Sequence, residues 1–251
     1  MRSVIDAHIH LDWYEERDRK RIVEDLSSSN IEKLISVSYD FDSCKKNLSF
    51  DHPKVVTALG FHPEQALPSP EEVQNITELI YQNRSSIAAI GEVGLPYYTQ
   101  HGDFQDYVNL LEHFIILGKE LQLPVNLHAI YEGADIACDL LEKHEMTRAH
   151  FHWFKGSETT QTRMKEKGYM VSVTPDCVYE EEIRKVIESF PLEQLMVETD
   201  GPWPFENKFE GRLTHPMMIH DSVKRISELK DEPLDYVYKK LQENTCHFYK
   251  L

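Results

Sequence analysis

Eight short apolar runs alternate with segments of helical period along these 251 residues. The runs cover residues 3–11, 33–39, 54–60, 87–94, 124–128, 148–153, 169–173 and 195–200. After the fourth run, Phe104, Tyr107, Val108, Leu111, Phe114, Ile115 and Gly118 recur at spacings of three and four, the mark of one helix face. Ser69-Pro70-Glu71-Glu72 reads as a helix start with proline in the first turn, and Thr214-His215-Pro216 as another. Residues 233–248 read as a final helix with Leu234, Val237, Tyr238 and Leu241 on one face. Strand then helix, repeated eight times in this length, predicts an α/β fold, a (β/α)₈ TIM barrel spanning 1–251 as one domain. A doubly wound open sheet is the rival, but no Gly-x-Gly-x-x-Gly follows the first run. The irregular segment 201–213, with Pro202, Trp203, Pro204 and Phe205, is expected as a loop over the barrel mouth.

Composition narrows the class. A hydrophobic content of 41% argues against disorder. No apolar stretch approaches the ~18 residues of a membrane helix. The N-terminus runs straight into the first strand, so no signal peptide is expected. Cys44, Cys138, Cys177 and Cys246 are far apart, as expected for free thiols in a cytoplasmic protein. The net charge of -16 argues against a broad basic surface of the kind that grips duplex nucleic acid. It leaves a nuclease open, because bound divalent ions reverse the sign of the potential inside a cleft.

Several runs end in residues that ligate metals. His8 and His10 close the first, one residue apart, so both project from one strand face. Glu92 lies near the end of the fourth, His128 ends the fifth, His152 lies near the end of the sixth, and Asp200 closes the eighth. Barrel active sites lie at that end of the strands. Four histidines and two carboxylates suit two divalent ions, with Zn, Mn and Mg as candidates. Glu92 is the expected bridge, since each carboxylate oxygen can take one ion. The expected sets are His8, His10, Glu92 and Asp200 on one ion, and Glu92, His128 and His152 on the other. A water shared by the two ions would lose its proton near neutral pH, and Asp200 is placed to orient it or carry that proton.

With Ile5-Asp6-Ala7-His8-Ile9-His10, Gly60-Phe61-His62-Pro63, Gly91-Glu92-Val93-Gly94-Leu95, Leu123 to His128, His152-Trp153-Phe154-Lys155-Gly156, Glu198-Thr199-Asp200-Gly201-Pro202 and Glu243-Asn244-Thr245, the chain resembles the TatD-type metal-dependent deoxyribonucleases of the amidohydrolase superfamily, nearly end to end. The resemblance implies a metal-bearing barrel that hydrolyses phosphodiesters, often from a DNA 3′ end. It also implies that His62 lines the site and touches a substrate phosphate. Three places depart from the family's pattern: Pro96 stands where it has Asp, Ala129-Ile130 where it has Ser-Arg, and Arg212-Leu213-Thr214-His215-Pro216 keeps only part of its Arg-x-x-Asn-x-Pro-like stretch.

Lys155 and Arg212 are the cationic candidates for phosphate contact. Trp153, Tyr97, Tyr98, Trp203 and Phe205 are candidates to stack on a base. His150 and Glu198 lie two residues deeper than His152 and Asp200 and are expected behind the ligands. The leading expectation is hydrolysis of single-stranded or frayed DNA ends, with no membrane and no obligate protein partner. One alternative is hydrolysis of a small ester, lactone or amide on the same metals. The other is a non-catalytic metal-binding barrel.

Overall fold

The computed structural model describes residues 2–251. Its strands are β1 (Val4–Ile9), β2 (Ile31–Ser36), β3 (Val55–Leu59), β4 (Ala89–Gly94), β5 (Val125–His128), β6 (Ala149–Phe151), β7 (Met170–Val173) and β8 (Leu195–Val197). They form one eight-stranded sheet in the order β1 to β8, every adjacent pair parallel. The ring closes just beyond β8, where Asp200 N–H donates to the His8 carbonyl and His10 N–H to the Gly201 carbonyl. The helices α1 (Glu16–Asp25), α2 (Phe41–Leu48), α3 (Pro70–Asn83), α4 (Phe104–Leu121), α5 (Glu132–Lys143), α6 (Glu158–Lys167), α7 (Glu181–Ser189), α8 (Ile219–Lys230) and α9 (Leu234–Tyr249) fill the connections. This is a TIM barrel.

Period-two alternation sorts each strand between two apolar layers. Leu34, Leu59, Ile90, Val171 and Leu195 belong to the large core shared with the helices. Their neighbours Ile35, Ala58, Ala89, Met170 and Met196 form a second, smaller cluster inside the barrel. Phe248 and Tyr249, from the last turn of α9, join that inner cluster. The Arg148 guanidinium, just before β6, donates to the Phe248 carbonyl and so fixes this plug at the N-terminal end of the barrel.

Local chemistry explains the starts that the sequence marks. Ser69 accepts from Glu72 N–H with Pro70 beginning α3. His215 accepts from Met217 N–H in the turn that leads into α8. Several strands are shorter or displaced relative to the apolar runs. β2 begins at Ile31 rather than 33 and ends at Ser36. β8 stops at Val197, because Thr199 turns to bond Asp6 and Asp200 adopts a left-handed backbone with φ of 49°. His10 lies past β1, at the head of a short 3-10 turn over Leu11–Trp13. No helix among the described residues is long and apolar enough to cross a membrane. All four cysteines are free, and Cys177 is buried away from the cleft lining.

Candidate metal centre

Two breaks in strand register place the ligand-type side chains. Along β1 the pairing with β2 shifts between Val4 and Asp6 and again before Ile9. Along β4 it shifts between Ile90 and Val93. Such irregularities re-aim a side chain beside a site, and here they bracket His8 and Glu92. The glycines around Glu92 allow close approach. A Cβ on Gly91 would sit 2.7 Å from the Asn126 Cβ, and one on Gly94 would overlap the His128 carbonyl.

Glu92 is fully buried at the centre, and its two oxygens face different histidines. Oε2 lies 3.3 Å from His8 Nε2 and 3.1 Å from His10 Nε2. Oε1 lies 2.7 Å from His152 Nε2, 3.2 Å from His128 Nδ1 and 3.4 Å from His62 Nε2. Asp200 Oδ1 stands on the Oε2 side, 3.3 Å from His8 Nε2 and 3.6 Å from His10 Nε2. The structure thus brings His8, His10, His62, Glu92, His128, His152 and Asp200 together. Lys155 lines the same cleft, with Nζ 5.2 Å from the centre of the Trp153 ring. Arg212 does not join them. It is exposed in the loop before α8 and is absent from the cleft lining.

Neighbouring groups fix the ring orientation of three histidines. A hydrogen-bonded row runs behind His8 in one direction. His8 Nδ1 donates to Asn126 Oδ1 (3.0 Å), Asn126 Nδ2 to Tyr249 OH (3.0 Å) and Tyr249 OH to His150 Nδ1 (2.7 Å). His150 Nε2 then donates to Ser172 Oγ (2.6 Å), and Ser172 to Glu198. Glu198 also accepts from Trp153 N–H at 2.7 Å. His8 Nε2 is left as a lone pair facing Glu92. At His128, Nε2 meets Glu64 Oε1 at 3.0 Å, which leaves Nδ1 as the lone pair. At His62 the order reverses. Nδ1 accepts from Glu64 N–H at 3.1 Å, so the proton sits on Nε2, which is a donor rather than a ligand.

The donor set fits divalent cations. His8 Nε2, His10 Nδ1, His152 Nδ1 and both Glu92 oxygens are buried without a hydrogen-bond partner. Three groups lie close enough together to hold an ion: His8, His10 and Glu92; His8, His152 and Glu198; and His62, Glu92 and His128, the last by position only, since His62 Nε2 carries its proton. Buried polar groups are normally paired, and unpartnered imidazole nitrogens gathered about a buried carboxylate are the chemistry of a divalent-metal site. Charge follows the same logic. Burial opposes ionisation of Glu92, but His62, His152 and His8 outweigh it and hold the carboxyl well below its usual range. Burial and the neighbouring His8 oppose a charge on His152, and Glu92 and Glu198 outweigh them, raising it to about 9.

A family model described as TatD related DNase matches residues 5–250. The chain belongs to that family. An uncharacterized metal-dependent hydrolase of Haemophilus influenzae is 38% identical over 255 residues, covering 99% of this chain and all of the relative. Human deoxyribonuclease TATDN3 is 28% identical over 263 residues, covering 98% and 94% of the two chains. The crystal structure of YjjV, a TatD homologue from Escherichia coli, superposes with a TM-score of 0.91 over the whole of both chains at 25% identity. A TatD-family hydrolase of Entamoeba histolytica, at 20% identity and a TM-score of 0.82, shares the fold. The protein is a TatD-family metal-dependent hydrolase.

The site lies at the floor of a cleft of about 280 Å³ whose walls are largely aromatic. Trp13, Tyr98 and Trp203 line it while 46%, 65% and 56% exposed. Trp153 is held from two sides, by Glu198 at its backbone N–H and by buried Asp176, which accepts from its indole N–H at 2.8 Å. Tyr97 and Phe205 are not in the lining. Motif reading passes over the lining residues Trp13, Tyr39, Glu64 and Thr99, and among them Glu64 bonds directly to a site histidine. Glu64 follows His62-Pro63 directly, and that proximity is its only mark in the sequence.

Proposed function

We propose that this chain hydrolyses phosphodiester bonds of DNA at single-stranded or frayed ends. The division of the Glu92 oxygens between His8 and His10 on one side and His128 and His152 on the other carries the reading. In it, His8, His10, Glu92 and Asp200 would hold one ion, and Glu92, His128 and His152 the other. Bound there, divalent cations would supply Lewis acidity toward the phosphate and lower the pKa of a water to near neutrality.

The chain's own groups supply the rest. His62 Nε2–H points to the Glu92 side of the cleft and can donate to a phosphate oxygen. Asp200 is held ionised: burial opposes its charge, and the hydrogen bond and charge of His8, with His152 and His10, bring its pKa down. Its carboxylate oxygens can therefore accept the proton of an attacking water. Lys155 is the one permanently cationic side chain among the described lining residues, so phosphate grip from the protein is slight. The exposed rings of Trp13, Tyr98 and Trp203 compensate, because an unpaired base can stack on any of them, typically for ~1–3 kcal/mol per base. A paired base in intact duplex cannot. The deoxyribonuclease named among the relatives supports DNA as substrate.

A second reading has its own observation. Ile130 lines the cleft beside Glu64, so the wall near His128 offers an apolar group and a carboxylate, which suits a small neutral ester, lactone or amide. A panel of metal-reconstituted protein against single-stranded, frayed and blunt DNA, RNA, lactones and amides decides between them. The nuclease reading expects the fastest turnover on unpaired DNA ends, with little on blunt duplex. It also expects Trp203→Ala to raise KM for those ends several-fold. A lactone or amide cleaved orders of magnitude faster than any phosphodiester would replace it with the second.

A further inference from the structure

Glu64 is half-buried in the turn after β3, and five donors converge on its carboxylate. Tyr97 N–H (2.6 Å) and Tyr98 N–H (3.0 Å) reach Oε1, and Thr99 N–H (2.6 Å) and Thr99 Oγ1 (2.9 Å) reach Oε2. The fifth is His128 Nε2, 3.0 Å from Oε1. Three successive amides of the loop after β4 therefore share one anion with a candidate metal ligand from the end of β5. That loop has no regular structure from Leu95 to Asp103, and Tyr97, Tyr98 and Thr99 are exposed. Tyr98 and Thr99 line the cleft. On the other side, the Glu64 backbone N–H holds His62 Nδ1 at 3.1 Å. One residue thus sets the ring state of two site histidines and pins the loop over them.

We propose that Glu64 is a positioning residue that couples the metal centre to the Tyr97–Thr99 loop. It accepts the His128 Nε2 proton and so keeps Nδ1 aimed at Glu92. With the same carboxylate it holds the loop that carries Tyr98 at the mouth. Removing the carboxylate frees the His128 ring to rotate Nδ1 away from Glu92. Because one anion serves both sides, cation binding and loop order become linked, and the linkage is reciprocal. The inference rests on the metal-centre reading but not on DNA as the substrate.

The test uses full-length, metal-stripped protein, titrated with Mn²⁺ by calorimetry. Amide hydrogen exchange at Tyr97, Tyr98 and Thr99 is followed with and without the ion. Partners that orient a ligand are typically worth ~10- to 100-fold in metal affinity. Glu64→Ala should weaken Mn²⁺ by that order. Glu64→Gln keeps one acceptor oxygen and should fall between it and the parent, which guards against simple misfolding. Mn²⁺ should slow exchange at the three amides in the parent and fail to do so in Glu64→Ala. If Glu64→Ala loosens the loop but binds Mn²⁺ as the parent does, the carboxylate is a loop clamp only and the coupling is refuted. A parent that binds no Mn²⁺ overturns the metal-centre reading itself, and the coupling with it.

Discussion

His150 and His152 stand two residues apart on β6 and its exit, both buried, and their surroundings are opposite. His150 has a partner on each ring nitrogen, Tyr249 OH and Ser172 Oγ. His152 Nδ1 has none, and its Nε2 faces Glu92 and His128. The same contrast holds for the two levels of the barrel they occupy. The lower level, Asn126, His150, Ser172, Glu198 and Tyr249, is a connected network of paired polar groups. The upper level, around Glu92, concentrates unpartnered ones. A paired buried network adds rigidity, whereas imidazoles gathered around a buried carboxylate without fixed partners are suited to take up a cation as their protons leave. Proton affinity separates the two in the same way. Burial, with the neighbouring His8 and His152, pushes His150 well below its usual range, so it stays neutral, while the carboxylates push His152 up.

The largest effect should come from the centre of the upper level. Glu92→Ala removes the one group shared by both histidine sets. It should abolish stoichiometric binding of both ions and lower turnover on unpaired DNA ends at least ~100-fold, the order seen for loss of a key charge-stabilising group. Glu92→Gln should retain weak binding. Elemental analysis beside initial rates checks this, and a variant that keeps two ions breaks the contrast.

pH gives the next effect, and its sign differs between metal-free and metal-loaded protein. Burial opposes the charged forms of His8 and His128, but Glu92, with Asp200 at His8 and Glu64 at His128, raises both, and His152 reaches about 9. These raised values stabilise the metal-free fold below the ordinary 6.5, and that contribution is lost as pH rises through about 9. The metal-free protein should therefore lose stability between pH 7 and 9.5. A cation must expel the same protons, so its apparent affinity should rise over that window, about tenfold per pH unit for each proton released. Melting curves and Mn²⁺ titrations at several pH values check both slopes. Parallel slopes would contradict the account.

The smallest effect should come from the lower level. Tyr249→Phe removes a hydroxyl and leaves Asn126 Nδ2 and His150 Nδ1 unpaired. Each lost buried partner costs about 1–3 kcal/mol, so Tm should fall by several degrees. Metal affinity should weaken only several-fold, through the altered hold on His8. A full loss of metal with unchanged Tm would mean that the two levels have been assigned the wrong way round.

How far the chain could be read from residues alone follows the same division. All eight strands were legible, because their apolar residues cluster in short runs that long helical patterns separate. The ligand-type residues at the strand ends were legible because their chemistry is unusual for a core. Boundaries were less so. The run 195–200 overstates β8, since Thr199 and Asp200 leave the ladder for contacts with Asp6 and His8 that lie far away in sequence. Arg212 is a cationic candidate by charge and position after β8, and the fold leaves it exposed and outside the cleft lining. Glu64 and Tyr249 act through backbone amides and a ring of distant partners, which leave no local pattern. Only the closed barrel brings those partners into reach.

In the proposed arrangement Glu92 divides two cation sites between its oxygens. Anomalous diffraction from crystals grown with Mn²⁺ tests it most directly. Two peaks flanking Glu92 are expected, one in contact with His8, His10 and Asp200 and the other with His128 and His152. A single peak with Glu92 terminal, or density elsewhere in the cleft, would contradict it.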